Sequence, residues 1–189
     1  MYKYIKHTLD FLLSLIGFIL ISPIFLFLWL LLAIVNEGAG AFFTQERPGI
    51  REKIFKLYKF KSMTDEVDAE GKLLPDAQRL TKIGRFIRKT SLDELPQLWN
   101  MLIGDMSLVR PRPCLFNQTE LLEECGKRGV YYHLPGITSL IQINEIDYIH
   151  PVLLAKTDAE MPKDLPYKNT STTSSPQFSA KYRGNRVKE

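Results

Sequence analysis

The sequence predicts a small α+β domain held at a membrane by its N-terminal segment. Three observations carry that expectation. Phe11 to Val35 is a run of 25 residues without a charge. Ile54 to Lys61 interleaves apolar residues with lysines after a turn signal, as a strand or an interfacial segment would. Residues 79–103 show helical spacing, with a basic stripe followed by an apolar one.

The totals fit this reading. At 189 residues the chain has room for one domain with an appended segment. The hydrophobic share of 45% is ordinary, but much of it lies in the first 35 residues. A net charge of +4 and a pI near 9.0 suit anionic lipid or phosphate-bearing ligands. Nucleic acid is the rival partner and ranks last, since no zinc-finger spacing, basic zipper or RNA-binding signature speaks for it. Cys114 and Cys125 have too few Cys and His neighbours for zinc and read as reduced structural thiols.

As a straight helix the apolar run would measure about 37 Å, enough to cross a hydrocarbon core. It is too long for a cleaved signal peptide, and no small-x-small site follows it. Ser22-Pro23 sits at its middle, and Pro23 cannot donate a backbone hydrogen bond. A break there leaves two halves of about 18 Å, each too short to cross. Basic residues flank both ends: Lys3 and Lys6 before, Arg47, Arg51 and Lys53 after. A hairpin entering and leaving by one face and a spanning helix both remain open on these features.

After the membrane segment, Arg47-Pro48-Gly49 marks a turn. The lysine-interleaved stretch that follows is a strand or an interfacial segment. Residues 64–78 are acidic, contain Gly71 and Pro75, and lack calcium-loop spacing, so they read as a surface loop. Arg79, Lys82, Arg85 and Arg88 recur every three residues along one side of a helix. They form a solvated face or a stripe aimed at phosphates.

That stripe leads into adjacent acids, Asp93 and Glu94. Ser91-x-x-Glu94 fits a capping box, with Leu92, Leu95, Leu98, Trp99, Leu102 and Ile103 as the buried face of the helix. The same geometry also suits chemistry. A helix N-terminus favours phosphate, and a carboxylate can attack phosphorus to form an acyl phosphate. Asp93 and Glu94 can share Mg²⁺ with substrate oxygens, since Mg²⁺ takes hard oxygen ligands and keeps several waters. Downstream, Pro111 and Pro113 stiffen the backbone around Arg112, whose guanidinium suits a phosphate. Pro135-Gly136 reads as a turn before a short strand, in which Gln142 and Asn144 alternate with Ile141 and Ile143 and could line a donor pocket.

Taken together, the apolar run with its central Ser-Pro, then FTQERPG, YKFKSM, LTKIGRFIRKTSLDELPQLWNML, GDMSLVRPRP, PGIT and QIN resemble the bacterial sugar transferase family over residues 1–160. These are small monotopic phosphoglycosyl transferases. The resemblance implies a re-entrant membrane helix broken at Ser22 and Pro23, and a site on the cytoplasmic face of the bacterial inner membrane. It implies transfer of a sugar-1-phosphate from a UDP-sugar to undecaprenyl phosphate, releasing UMP and starting glycoconjugate synthesis. An N-acetylated amino sugar is the family's commonest donor. Asp93 matches the family's covalent nucleophile and Glu94 its neighbour at the Mg²⁺. Lys59, Arg88 and Arg112 match the basic residues that handle substrate phosphates. Membrane phospholipid is the remaining partner.

The chain then divides into a hairpin at residues 1–38, a catalytic domain at 39–161 and a polar tail at 162–189, expected to be disordered. It departs from the family where Arg110 replaces a Gly before the PRP segment, and where Leu134 and Ser139 replace an Arg and a Gly. A glycine suggests a close backbone approach that Arg110 would not tolerate easily. The alternative expectation is therefore a catalytically impaired homologue, anchored at the membrane and binding lipid or a partner.

Overall fold

The apolar run folds as one helix, α1 (Tyr2–Val35). The chain is seen as a computed structural model that describes residues 2–36, 38–144 and 150–161; the polar tail lies outside them. Helix α1 is long and apolar enough to cross a membrane and is largely uncovered by the rest of the protein, with Leu20 73% and Ile34 78% exposed. The expected break at Ser22-Pro23 is not present as an interruption, because Pro23 lies inside a helix continuous on both sides. A proline leaves the carbonyl four residues back without its donor. That carbonyl belongs to Ile19, and the Ser22 hydroxyl donates to it over 2.7 Å.

After α1 come β1 (Phe42–Pro48) and β2 (Ile54–Phe60), paired as a two-stranded hairpin. The Arg47-Pro48-Gly49 signal marks its turn, where Arg51 and Glu52 take left-handed backbone angles. Then follow α2 (Asp76–Arg79), α3 (Lys82–Lys89), α4 (Gln97–Leu102), β3 (Ser107–Val109), α5 (Thr119–Lys127), β4 (Gly136–Thr138), α6 (Leu140–Ile143) and α7 (Pro151–Ala159). Helix and strand are thus mixed, with β3 and β4 forming a second, parallel pair in register Ser107 to Gly136 and Val109 to Thr138.

The chain packs into two compact units. One comprises Phe11–Gln45 and Lys56–Ile103. Its core joins Leu28 and Leu32 of α1 to Ala41, Phe60 and Ile87, with Phe25, Ile83, Leu92 and Leu95 around them. Asn36 is fully buried and donates to the carbonyls of Gly40 (2.9 Å) and Lys61 (2.8 Å), fastening the end of α1 to the end of β2. Helix α3 is capped by Thr81, whose hydroxyl accepts from Gly84 N–H. Gly84 itself is required by contact. A Cβ there would lie 1.8 Å from the carbonyl oxygen of Ser62.

The other unit comprises Met1–Asp10, Glu46–Phe55 and Gly104–Glu189. Its core gathers Cys114, Leu121, Cys125, Val130, Ile141, Leu154 and Ala155. Both cysteines are buried and unbridged, as expected of structural thiols. Pro151 starts α7, where its missing N–H costs no helical bond. Lys6 of α1 donates to Asp10 (2.8 Å) and to the buried hydroxyl of Ser107 (2.7 Å), which in turn donates to Asp10 (2.7 Å).

Candidate active site

Within the unit of residues 11–45 and 56–103, β2 and the single turn Leu92–Glu94 bring Lys59, Asp93 and Glu94 together. The Lys59 ammonium lies 2.9 Å from Glu94 Oε1 and 3.7 Å from Asp93 Oδ2, and all three side chains are largely buried. Burial pushes the Asp93 carboxyl above the usual carboxylate range. Lys59 opposes this, Glu94 adds to it, and Arg88 and the Asp93 backbone N–H also pull it down. A more basic carboxylate is a better nucleophile once ionised, and Lys59 favours the ionised form.

Arg88, at the end of α3, is held by Ser62, whose hydroxyl accepts from its Nε over 2.7 Å. The basic stripe is shorter than expected. Arg79 belongs to the separate helix α2 and bonds Asp76 and the carbonyls of Leu74 and Thr64, so only Lys82, Arg85 and Arg88 share α3.

The expected capping box at Ser91-x-x-Glu94 does not form. Ser91 sits in the left-handed region (φ 56°), and its side chain makes no capping bond, while Glu94 is engaged by Lys59. The buried face of α4 also differs. Gln97, Asn100 and Met101 face inward, whereas Trp99 and Ile103 are exposed. Asn100 explains the polar interior, because it accepts from Tyr58 N–H (3.1 Å) and donates to Lys56 O (2.7 Å), completing the backbone of β2. Trp99 instead joins Phe18, Phe25, Phe42, Thr44, Tyr58 and Pro96 around an apolar groove of about 390 Å³.

Arg112, Gln142 and Asn144 belong to the other unit. The carbonyls on either side of Arg112 are held: Pro111 O accepts from Gly136 N–H (2.7 Å), and Pro113 O accepts from the Arg47 guanidinium (2.9 Å). Gln142 and Asn144 do not alternate along a strand. Residues 140–143 are helical, and Ser139 and Gln142 form a capping box, so the Gln142 side chain accepts from Ser139 N–H.

Asp93 and Glu94 supply two adjacent carboxylates, and Mg²⁺ binds through one or two protein carboxylates and takes the rest from waters and substrate phosphates. Among the described residues no group of three or more His, Cys, Asp or Glu is placed to hold a metal ion.

The model of the bacterial sugar transferase family matches residues 1–174 of the chain. The chain belongs to that family. Its relatives include the sugar transferase EpsL of Bacillus subtilis, 56% identical over 57% of this chain and 52% of EpsL. The undecaprenyl-phosphate galactose phosphotransferase of Salmonella typhimurium is 38% identical over 77% of this chain and 34% of its own length. A UDP-N-acetylgalactosamine-undecaprenyl-phosphate N-acetylgalactosaminephosphotransferase of Aeromonas hydrophila is 35% identical over 75% and 34%. The chain thus spans from a third to a half of these relatives. Its exposed apolar helix and lipid-carrier relatives together point to a membrane location.

Seen as a sugar transferase, the chain accommodates its departures. Arg110 has no positive φ, and the close approach at that point is made by its neighbour. A Cβ on Gly136 would lie 2.3 Å from Arg110 O, so Gly136 carries the need for glycine. The Arg110 guanidinium points to His133 Nδ1 (3.4 Å). Leu134 is partly buried in a small cleft with Arg112 and His133, and Ser139 caps α6. Ser62, which holds Arg88, and Asn100, which holds the backbone of β2, escaped the sequence reading.

Proposed function

We propose that this chain transfers a sugar-1-phosphate from a UDP-sugar to undecaprenyl phosphate, releasing UMP, at the cytoplasmic face of the bacterial inner membrane. The observation that carries the reading is the Lys59, Asp93 and Glu94 cluster, in which one carboxylate is buried beside a cation and a second acid. The names of the relatives in Salmonella typhimurium and Aeromonas hydrophila support the acceptor.

In the first step an Asp93 oxygen attacks the sugar-bearing phosphorus. The bond to the bridging oxygen breaks, and UMP leaves with that oxygen. The phosphosugar is then an acyl phosphate on Asp93. In the second step an oxygen of undecaprenyl phosphate attacks the same phosphorus, the acyl bond breaks, and Asp93 returns as a carboxylate. Lys59 and Arg88 balance charge on the phosphates and keep Asp93 ionised, and Arg112 takes a substrate phosphate. Asp93 and Glu94 would hold Mg²⁺, which supplies further charge neutralisation when bound. The apolar groove beside Tyr58 and Pro96 suits the isoprenoid chain of the acceptor. The donor is an N-acetylated amino sugar, and Gln142 and Asn144 are the residues to test for contact with it.

Helix α1 enters the bilayer and leaves by the same face, among phospholipids. Support comes from the basic residues on both flanks of the apolar run, Lys3 and Lys6 before it and Arg47, Arg51 and Lys53 after it, since a crossing helix usually has one basic flank. Labels at Tyr4 and Gly38 reporting opposite faces would end this reading.

The test of the reaction is UMP release by detergent-solubilised protein with undecaprenyl phosphate and a panel of UDP-sugars. Activity is expected with Mg²⁺, lost on chelation and absent in Asp93→Asn. No UMP from any donor, in folded protein, would transfer the case to a membrane-anchored binding module.

A further inference from the structure

Strand β2 offers Lys59 to the two acids, and a little further on the chain offers Ser62 to Arg88. Ser62 is 5% exposed, and its hydroxyl accepts from the Arg88 Nε–H over 2.7 Å. Its backbone is held as well. The Ser62 carbonyl accepts from the Thr81 N–H (3.3 Å) and from the Thr81 hydroxyl (3.4 Å), and Thr81 is the residue that caps α3. Ser62 therefore grips α3 at both ends, by its carbonyl at the cap and by its hydroxyl at Arg88 in the last turn.

The choice of partner is informative. Asp93 and Glu94 take their ion pairs from Lys59, whereas the side-chain bond that Arg88 makes among the described residues goes to a neutral hydroxyl. An acid in place of Ser62 would cancel the charge of the guanidinium. A hydroxyl fixes the group and leaves the charge whole. A guanidinium carries five N–H donors in a planar fork. With Nε–H taken, a two-point grip on an oxyanion falls to the Nη1 and Nη2 edge. Arg88 is an exposed side chain, and without this bond it would have to be ordered as the ligand binds.

We infer that Ser62 is a positioning residue for the transfer reaction: its buried hydroxyl fixes the guanidinium plane of Arg88 and leaves the Nη edge, fully charged, for a substrate phosphate. The inference rests on the transferase reading for that phosphate, but the bond itself stands apart from it.

Two measurements on the full chain in detergent decide it. The first is NMR of the arginine Nε–H groups, with the Arg88 resonance assigned by its loss in Arg88→Lys. In wild type its exchange with water is expected to be about fivefold slower than that of Arg85, an exposed arginine of the same helix. The difference should vanish in Ser62→Ala and survive in Ser62→Thr, which keeps the hydroxyl. The second is steady-state UMP release with the donor that wild type turns over. Ser62→Ala is expected to lower kcat/KM about tenfold, since Arg88 is no longer preorganised. The same change should cost less than about twofold in an Arg88→Ala background. An Arg88 Nε–H that exchanges as fast as that of Arg85 in wild type overturns the inference. So does a Ser62→Ala that keeps the wild-type kcat/KM, whatever its melting temperature, or one whose loss persists in full without Arg88. A Ser62→Thr that keeps the slow Nε–H but has lost tenfold in rate overturns it too. If Ser62→Ala fails to fold, wild type and Ser62→Thr still decide. If no protein releases UMP, the transferase reading fails, while exchange still rules on the Ser62 bond.

Discussion

The Ser22 hydroxyl donates over 2.7 Å to the carbonyl of Ile19, the oxygen that Pro23 leaves without its helical donor. The serine before the proline therefore repairs the damage the proline does, and α1 continues. In a bilayer no water is at hand to take that carbonyl, so the repair matters more there than in solution. Ser22→Ala is expected to lower stability by about 1 kcal/mol, within the range for polar contacts in membrane helices. In a Pro23→Ala background, where residue 23 regains its N–H, the same change should cost nothing. Thermal unfolding of the four proteins in lipid nanodiscs measures both. An equal cost in the two backgrounds would show that Ser22 does not serve Ile19.

Lys59 contacts both acids of the candidate site, so its removal should be felt at both. Lys59→Met removes the cation that contacts both carboxylates and one of the groups that hold Asp93 ionised. UMP release should fall about 100-fold, the loss typical of deleting one preorganised charge partner. Membrane association should not change. Wild-type rates in Lys59→Met would remove Lys59 from the machinery.

Gly84 lets α3 ride against the chain just after β2. An alanine there places its Cβ 1.8 Å from the Ser62 carbonyl, a backbone atom that cannot swing away. Gly84→Ala is expected to cost about 3 kcal/mol, at the upper end of overpacking penalties. Gly17→Ala, with nothing near its Cβ, is the control and should be tolerated. Similar melting temperatures for the two variants would contradict the packing.

The buried carboxyl of Asp158 predicts a pH effect on stability. Its folded value is raised from an ordinary 3.8 to about 8. Between those limits the folded state holds a proton that the unfolded state has released, so stability falls as pH rises through this window. The slope from this one group is at most about 1.4 kcal/mol per pH unit. Asp158→Asn cannot titrate. Subtracting its unfolding free energies from those of wild type across pH 4 to 8 should isolate the fall, and a flat difference would refute it.

The sequence carried the long helix, the turn before β2 and the helical spacing of α3 plainly, because each rests on local pattern. What it hid depends on partners distant in the chain. Ser91-x-x-Glu94 and Ser139-x-x-Gln142 both fit a capping box, and of these two the second forms one. Nothing local separates them. Lys59, 35 residues before Glu94, takes the first acid for itself. Likewise the polar face of α4 turns inward because Asn100 finds the backbone of β2, 42 and 44 residues away. Strand β1 went unread because its first residues, Phe42 and Phe43, continue the apolar character of α1 and are exposed rather than alternating.

Leu28 and Leu32 close a core with residues that the ribosome has yet to make, and Lys6 waits for Ser107. During synthesis the apolar helix leaves the exit tunnel before Phe60, Ile87 and Ser107 do, and at a membrane it can enter the bilayer before they arrive. The polar parts can then fold onto a helix already delivered to lipid, so the membrane acts as the bench on which the rest is assembled. A chain that begins after residue 35 would lack the first half of one core, and should be recovered as aggregate rather than as a soluble enzyme.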